Sequence, residues 1–201
     1  MKFIKAILFF FLLTTLSLTP AHAKDDPVVL FETSVGNFEV TLYPDKAPVT
    51  VKNFLSLVDQ KHYKGTIFHR VIKNFMIQGG GLNLSMQKVG GVMPIKNEAD
   101  NGLKNVKGSI AMARTGEPHS ATDQFFINTK DNSMLDHTGK NMRGWGYAVF
   151  GKVTKGMDIV MKIEASPTSR RGDRGDVPVK TIEILKVEKI KAQMPASSAG
   201  K

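Results

Sequence analysis

The feature that most limits what this chain can fold into is the brevity of its apolar runs. Between Val28 and Ile190 they come as short stretches separated by connections rich in Gly, Asn and Asp. Phe38, Val40 and Leu42 alternate with Glu39 and Thr41, and Val28–Thr33 precedes them across a turn around Ser34–Asn37. A period of two places alternate side chains on one face, so these segments predict a hairpin with one buried side. Further runs at Ile67–Ile72, Phe75–Gln78, Ser109–Ala113, Gln124–Asn128, Tyr147–Val153 and Lys180–Ile190 predict strands of a barrel or sandwich. Helical spacing appears at Val51, Phe54, Leu55 and Val58, behind Ala47-Pro48 where proline suits a helix start. It recurs over Met157–Ile163, where Ile159, Val160 and Ile163 share a face.

The chain of 201 residues, 41% hydrophobic and 23% charged, suits one domain, expected over residues 24–190. Its ends differ from the rest. Lys2 and Lys5 precede the apolar run Ala6–Leu13, and Ala21 and Ala23 supply small residues at a cleavage site, the pattern of a secretory signal peptide over residues 1–23. Thr14, Thr15, Ser17 and Thr19 dilute the run before it reaches the ~20 apolar residues of a membrane span. The mature chain is therefore expected to begin at Lys24, to be soluble outside the cytoplasm, and to have no stable membrane insertion. Residues 191–201 lack apolar periodicity and are expected to form a disordered tail.

With Cys 0, an exported domain of this kind has no disulfide, no thiol nucleophile and no thiolate metal site, so its stability must come from its core. Loss of Lys2 and Lys5 with the leader lowers the formal charge of +10 to +8. The basic residues are scattered, and the densest group, Arg170, Arg171 and Arg174, is interleaved with Asp173 and Asp176. That is the pattern of a solvated face, and nucleic acid is not an expected partner.

Other chemistries find little support. Gly79-Gly80-Gly81 lacks the Lys and the following helix of a phosphate loop and reads as a flexible strand end. His62, His69, His119 and His137 have no short ligand spacing with a carboxylate, so no metal is expected. Ser109, Ser120 and Ser133 lie in no nucleophile elbow. Composition and periodicity thus reach an exported β-rich domain with two helices and no named activity.

The motifs go further. Phe68-His69-Arg70-Val71-Ile72 is followed by Phe75-Met76-Ile77-Gln78-Gly79-Gly80, then by Ser109–Ala113, Ser120–Ile127, Leu135-Asp136 and Val149-Phe150-Gly151. In order and spacing these resemble the cyclophilin-type peptidyl-prolyl cis-trans isomerases. Ile95–Leu103 and Gly144-Trp145-Gly146-Tyr147 resemble the bacterial branch, which together with the leader implies a periplasmic protein. The resemblance implies a mainly β fold, a closed eight-stranded antiparallel barrel capped by two α-helices. It also implies an enzyme that rotates X-Pro bonds in proline-containing polypeptides without metal or cofactor; a monomer is the default expectation.

By the same resemblance Arg70 is the catalytic residue, and Phe75, Met76, Phe126 and Leu135 line an apolar proline pocket. Gln78 and Gln124 offer polar contacts, and Ala113, Arg114, Met134 and Tyr147 complete the substrate-binding set. Periodicity alone would place the four apolar residues in the core. The chain departs from the familiar eukaryotic pattern, with Met134 for tryptophan, Tyr147 for histidine, Arg114 for asparagine and Gly81 for aspartate. An affinity for cyclosporin is implied, but the missing indole donor at position 134 predicts that it is weak.

Overall fold

The computed structural model describes residues 26–191, so the leader, its cleavage point and the tail beyond Lys191 lie outside the described residues. Ten strands and two helices run in the order β1 (Val28–Thr33), β2 (Gly36–Leu42), α1 (Pro48–Asp59), β3 (Thr66–Ile72), β4 (Met76–Asn83), β5 (Ser109–Met112), β6 (Phe125–Asn128), β7 (Val149–Lys155), α2 (Met157–Glu164), β8 (Thr168–Arg171), β9 (Arg174–Pro178) and β10 (Glu183–Ile190). Eight of the strands close into an antiparallel barrel in the order β1-β10-β3-β4-β6-β5-β7-β2, and β8 and β9 form a separate ribbon.

The expected hairpin is β1–β2, with Phe31 opposite Phe38 and Thr33 opposite Gly36. Thr33 Oγ1 donates to the Gly36 carbonyl at 2.5 Å and accepts from Val35 N at 3.2 Å, which closes the turn. Phe31 and Phe38 stack at 4.7 Å and lead into the aromatic interior. Phe125 sits among Phe31 at 5.4 Å, Tyr63 at 5.6 Å, Phe68 at 6.1 Å and Phe54 at 6.2 Å. All four contacts are edge-on, with interplanar angles of 64° to 86°, the arrangement the ring quadrupole favours. Helix α1 supplies Phe54 and buries Val51, Leu57 and Val58 beside it; α2 buries Val160 and Ile163.

Pleating sorts β4, β5 and β6 between two apolar clusters. Ile77, Ile110, Met112, Phe125 and Ile127 point into the barrel core, whereas Met76, Ala111 and Phe126 join Val149 in a second cluster on the outer face. That second cluster is the floor on which the site is built.

Three departures from the sequence reading follow from local physics. Gly79-Gly80-Gly81 lies inside β4, because a side chain there would meet its neighbours: a Cβ on Gly81 would collide with the Gln124 side chain. The last predicted run begins late, since β10 starts at Glu183 and not Lys180, and β7 runs from Val149 to Lys155 and not from Tyr147 to Val153. The ribbon β8–β9 was read only as a solvated basic face. Its residues lack apolar alternation, yet Arg171 pairs with Arg174 across Gly172-Asp173, a two-residue turn with φ +62° at Gly172.

Helix α1 has no cap from its own flank, Ala47 being unable to supply one. Glu98, from the long connection between β4 and β5, does so instead. Its carboxylate accepts from Val49 N at 3.1 Å, Thr50 N at 2.8 Å and Thr50 Oγ1 at 2.7 Å. A carboxylate at the positive end of a helix satisfies donors that the helix itself cannot. The adjacent Asn97 donates to the carbonyls of Pro118 at 3.0 Å and Gly146 at 3.2 Å, and so braces the wall of the cleft described next.

Candidate active site

Strand register assembles the site as a row across the outer face of the barrel. Arg70 on β3 lies opposite Gln78 on β4; Gln78 lies opposite Phe126 on β6; Phe126 lies opposite Ala111 on β5; and Ala111 lies opposite Val149 on β7. At ~4.8 Å per strand, the Arg70 and Phe126 backbones stand roughly 10 Å apart across the sheet. A charged donor and an apolar seat thus share one concave surface, a cleft of about 550 Å³.

The seat is dry. Met76 and Phe126 are buried, Phe75, Leu135 and Tyr147 pack against them, and the Phe126 and Tyr147 rings meet edge-on at 5.6 Å. Arg114 closes one side with its guanidinium 4.6 Å above the Tyr147 ring. Its Nε donates to the Gly146 carbonyl at 2.9 Å and its Nη1 to Thr115 O at 2.9 Å, so this arginine is a fixed wall. The same Gly146 carbonyl accepts from Asn97, which explains why the two segments read as bacterial in the sequence come together here. Gly146 itself adopts φ +69°, and a Cβ there would lie 2.6 Å from the His137 backbone nitrogen.

The polar end is a relay. Gln78 Nε2 donates to Gln124 Oε1 at 3.0 Å, and Arg70 Nη1 donates to Gln78 Oε1 at 3.5 Å. Arg70 Nε stands 3.8 Å from Asp176 Oδ2, both side chains being about half exposed. Arg70 therefore opens toward solvent and ligand.

Of the residues anticipated from the sequence, Arg70, Phe75, Met76, Gln78, Ala113, Arg114, Gln124, Phe126, Leu135 and Tyr147 all line this cleft. Met134 does not. It is 70% exposed in the 3-10 turn Ser133–Leu135, where successive residues point ~120° apart, so Leu135 turns in and Met134 out. Four lining residues were not anticipated: His69, Arg174, Gly175 and Asp176. The last three come from the β8–β9 ribbon, whose signal was the Gly-Asp turn dipeptide rather than any apolar pattern.

His69 is 3% exposed, and its Nδ1 has no hydrogen-bond partner among the described residues. Burial pulls its pKa down from 6.5 to about 4, with Arg174 and Arg70 adding to the effect against the opposing pull of the Ile67 backbone and Asp123. The imidazole is neutral at physiological pH, and the charge of this wall is carried by arginine.

The cyclophilin type peptidyl-prolyl cis-trans isomerase family model matches residues 28–189. A peptidyl-prolyl cis-trans isomerase of Acinetobacter baylyi is 52% identical over 85% of this chain and 89% of its own length. Peptidyl-prolyl cis-trans isomerase B of Escherichia coli is 51% identical over 80% of this chain and 98% of its own. Among solved structures, a Cryptosporidium parvum cyclophilin-type isomerase superposes with a TM-score of 0.68 at 27% identity, covering 84% of this chain and 99% of that one. A second structure of that protein, determined in the presence of the dipeptide Ala-Pro, gives a TM-score of 0.66 at 28% identity, covering 82% of this chain and 99% of that one.

The closed antiparallel barrel, the family match and the relatives together define a peptidyl-prolyl cis-trans isomerase. This chain belongs to the cyclophilin-type peptidyl-prolyl cis-trans isomerases, enzymes that rotate the peptide bond preceding proline.

Because the folded pKa of His69 lies below its unfolded value, the unfolded chain binds the extra proton between pH 6.5 and about 4. Stability is then complete above 6.5 and falls as pH drops through that window, by as much as about 3 kcal/mol from this group. Urea unfolding at several pH values should show the loss, and His69→Gln should flatten it. Equal slopes in the two proteins would assign the loss to other groups.

Proposed function

We propose that Arg70 performs the isomerisation, that the proline ring sits on Met76 and Phe126, and that the enzyme serves polypeptides exported to the periplasm. The observation that carries the catalytic part is the cross-strand row, which sets a permanent cation at one end of a buried apolar floor.

The barrier to be lowered is ~20 kcal/mol and comes from amide resonance. Resonance fails when the prolyl nitrogen pyramidalises, and its lone pair then accepts a hydrogen bond that the planar amide refuses. The Arg70 guanidinium donates that bond. It stays protonated and its donors are geometrically fixed, which a lysine ammonium does not reproduce. A hydrogen bond to a charged group is worth about 1.5–3 kcal/mol, or roughly one to two powers of ten in rate. The seat supplies the rest by holding the ring while the preceding carbonyl turns, with the bound substrate itself covering the donor edge of Arg70. Because the nitrogen accepts only when twisted, the gain belongs to the transition state and not to either planar isomer. Gln78 and Gln124 extend the polar side toward the substrate backbone.

The similarity to a cyclophilin studied with Ala-Pro supports the choice of proline-containing peptides as ligand. The leader pattern of residues 1–23 supports the export role, in which slow X-Pro rotation limits the folding of newly translocated chains. No metal or cofactor enters the chemistry, since rotation makes and breaks no covalent bond.

Exchange NMR on a short Xaa-Pro peptide tests the catalytic reading. Arg70→Ala should lose about a hundredfold of the acceleration while peptide binding persists. Full activity in that variant would move the chemistry elsewhere, and no activity in the wild type would leave a binding module. Expression of the full chain in a Gram-negative host should yield a periplasmic product whose mass begins at Lys24; an uncleaved membrane-bound product would overturn the export reading. Cyclosporin should bind weakly because Met134 faces solvent and carries no indole donor. Met134→Trp should tighten it about tenfold in a calorimetric titration, and an unchanged dissociation constant would remove position 134 from the explanation.

A further inference from the structure

Asp176 combines three properties that a surface aspartate does not need. It lines the cleft, it stands in an exposed ribbon, and its φ of +58° lies in the left-handed region that residues other than glycine seldom adopt. The next residues explain how that conformation is held. Val177 is 3% exposed and pairs with Ser169, and Pro178 is buried opposite Thr168, so the chain is clamped immediately after the bend. The register of the ribbon shifts between Ser169 and Arg171, so Gly175 and Asp176 share a bulge opposite Arg170, and a bulge beside a site re-aims a side chain.

It is aimed at Arg70. Asp176 Oδ2 approaches Nε at 3.8 Å from the β9 side, while Gln78 Oε1 accepts from Nη1 at 3.5 Å from the β4 side. Two of the three guanidinium nitrogens are thus bracketed from opposite walls. Nη2 makes no hydrogen bond among the described residues and remains for a ligand. An arginine that is half exposed has several rotamers open to it, and only those that face the seat can reach a prolyl nitrogen.

We propose that Asp176 is a positioning residue for the isomerisation: its carboxylate confines the Arg70 guanidinium so that the free N–H groups face the apolar seat. The ribbon β8–β9 is then part of the catalytic apparatus, although it lies outside the barrel. This rests on the reading of Arg70 as the donor. As an exposed pair the contact adds little to stability, so its effect is on rate.

The test uses Asp176→Asn and Asp176→Gly, both of which tolerate a left-handed backbone and remove the charge. On an uncharged Xaa-Pro peptide each should lower kcat about fivefold with KM within about twofold, and leave the melting temperature unchanged. Asp176→Glu should recover part of the loss. The Arg70 Nε–H group, followed by nitrogen relaxation, should become more mobile in Asp176→Asn than in the wild type. In an Arg70→Ala background Asp176→Asn should change the residual rate no further, because its effect is transmitted through the guanidinium. A wild-type kcat in both charge-removing variants, or the same loss with and without Arg70, would overturn the inference. If Arg70→Ala itself keeps full activity, the catalytic reading fails; if it does not and Asp176→Asn is silent, only the positioning role fails.

Discussion

Strand β6 carries two adjacent phenylalanines, and the pleat sends them to opposite sides of one wall. Phe125 fills the barrel among four other aromatic rings, and Phe126 forms the floor of the cleft. A shift of register by one residue would exchange them and with them the core and the site. The glycines of β4 belong to the same constraint. Gly80 lies against the Phe125 ring and Gly81 against the Gln124 side chain, while Gly79 lies against Ile67 and Phe68 of β3, so a Cβ at any of them would press on a strand of the row that runs from Arg70 to Phe126. Core packing and site geometry are two faces of one strand, so neither could have been changed without the other.

The electrostatics of the cleft are arranged by subtraction. Arg114 spends its donors on backbone carbonyls and its face on Tyr147, and so contributes shape more than free charge. Arg174 and Arg70 flank His69, whose burial excludes a further proton at neutral pH. What remains available in the cleft is the free edge of Arg70, opposite an apolar surface, with Arg174 on the ribbon side. A general cationic patch would attract carboxylates and gain nothing on an amide nitrogen; a donor edge held beside an apolar seat discriminates by geometry.

Much of this was legible in the sequence, for identifiable reasons. Alternation at Phe38, Val40 and Leu42 gave the first hairpin, and the helical spacings gave both helices, because in these segments one face is buried and the other is wet. Alternation could not say which face of β6 was core, since Phe125, Phe126, Ile127 and Asn128 are all buried, and only the resemblance separated cleft from interior. The β8–β9 ribbon has no hydrophobic period to detect, since its strands are Thr, Ser, Arg, Gly and Asp up to the adjacent buried pair Val177 and Pro178 at its end. Its role depends on where the barrel delivers it, which is tertiary information. The outward turn of Met134 has the same origin, as a single 3-10 turn leaves no trace that sequence spacing can distinguish from a strand end.

The borrowed cap on α1 has a dynamic consequence. The donors of its first turn are satisfied by Glu98, 48 and 49 residues further along, and the preceding residue, Asn97, holds the carbonyl that also fixes Arg114. Helix start and cleft wall therefore share one tether and should open and close as a single cooperative unit. An opening that frees the connection between β4 and β5 uncovers the helix terminus and slackens the substrate wall together. Amide hydrogens at Val49 and Thr50 should therefore report, by their exchange, on the same tether that holds the Arg114 wall.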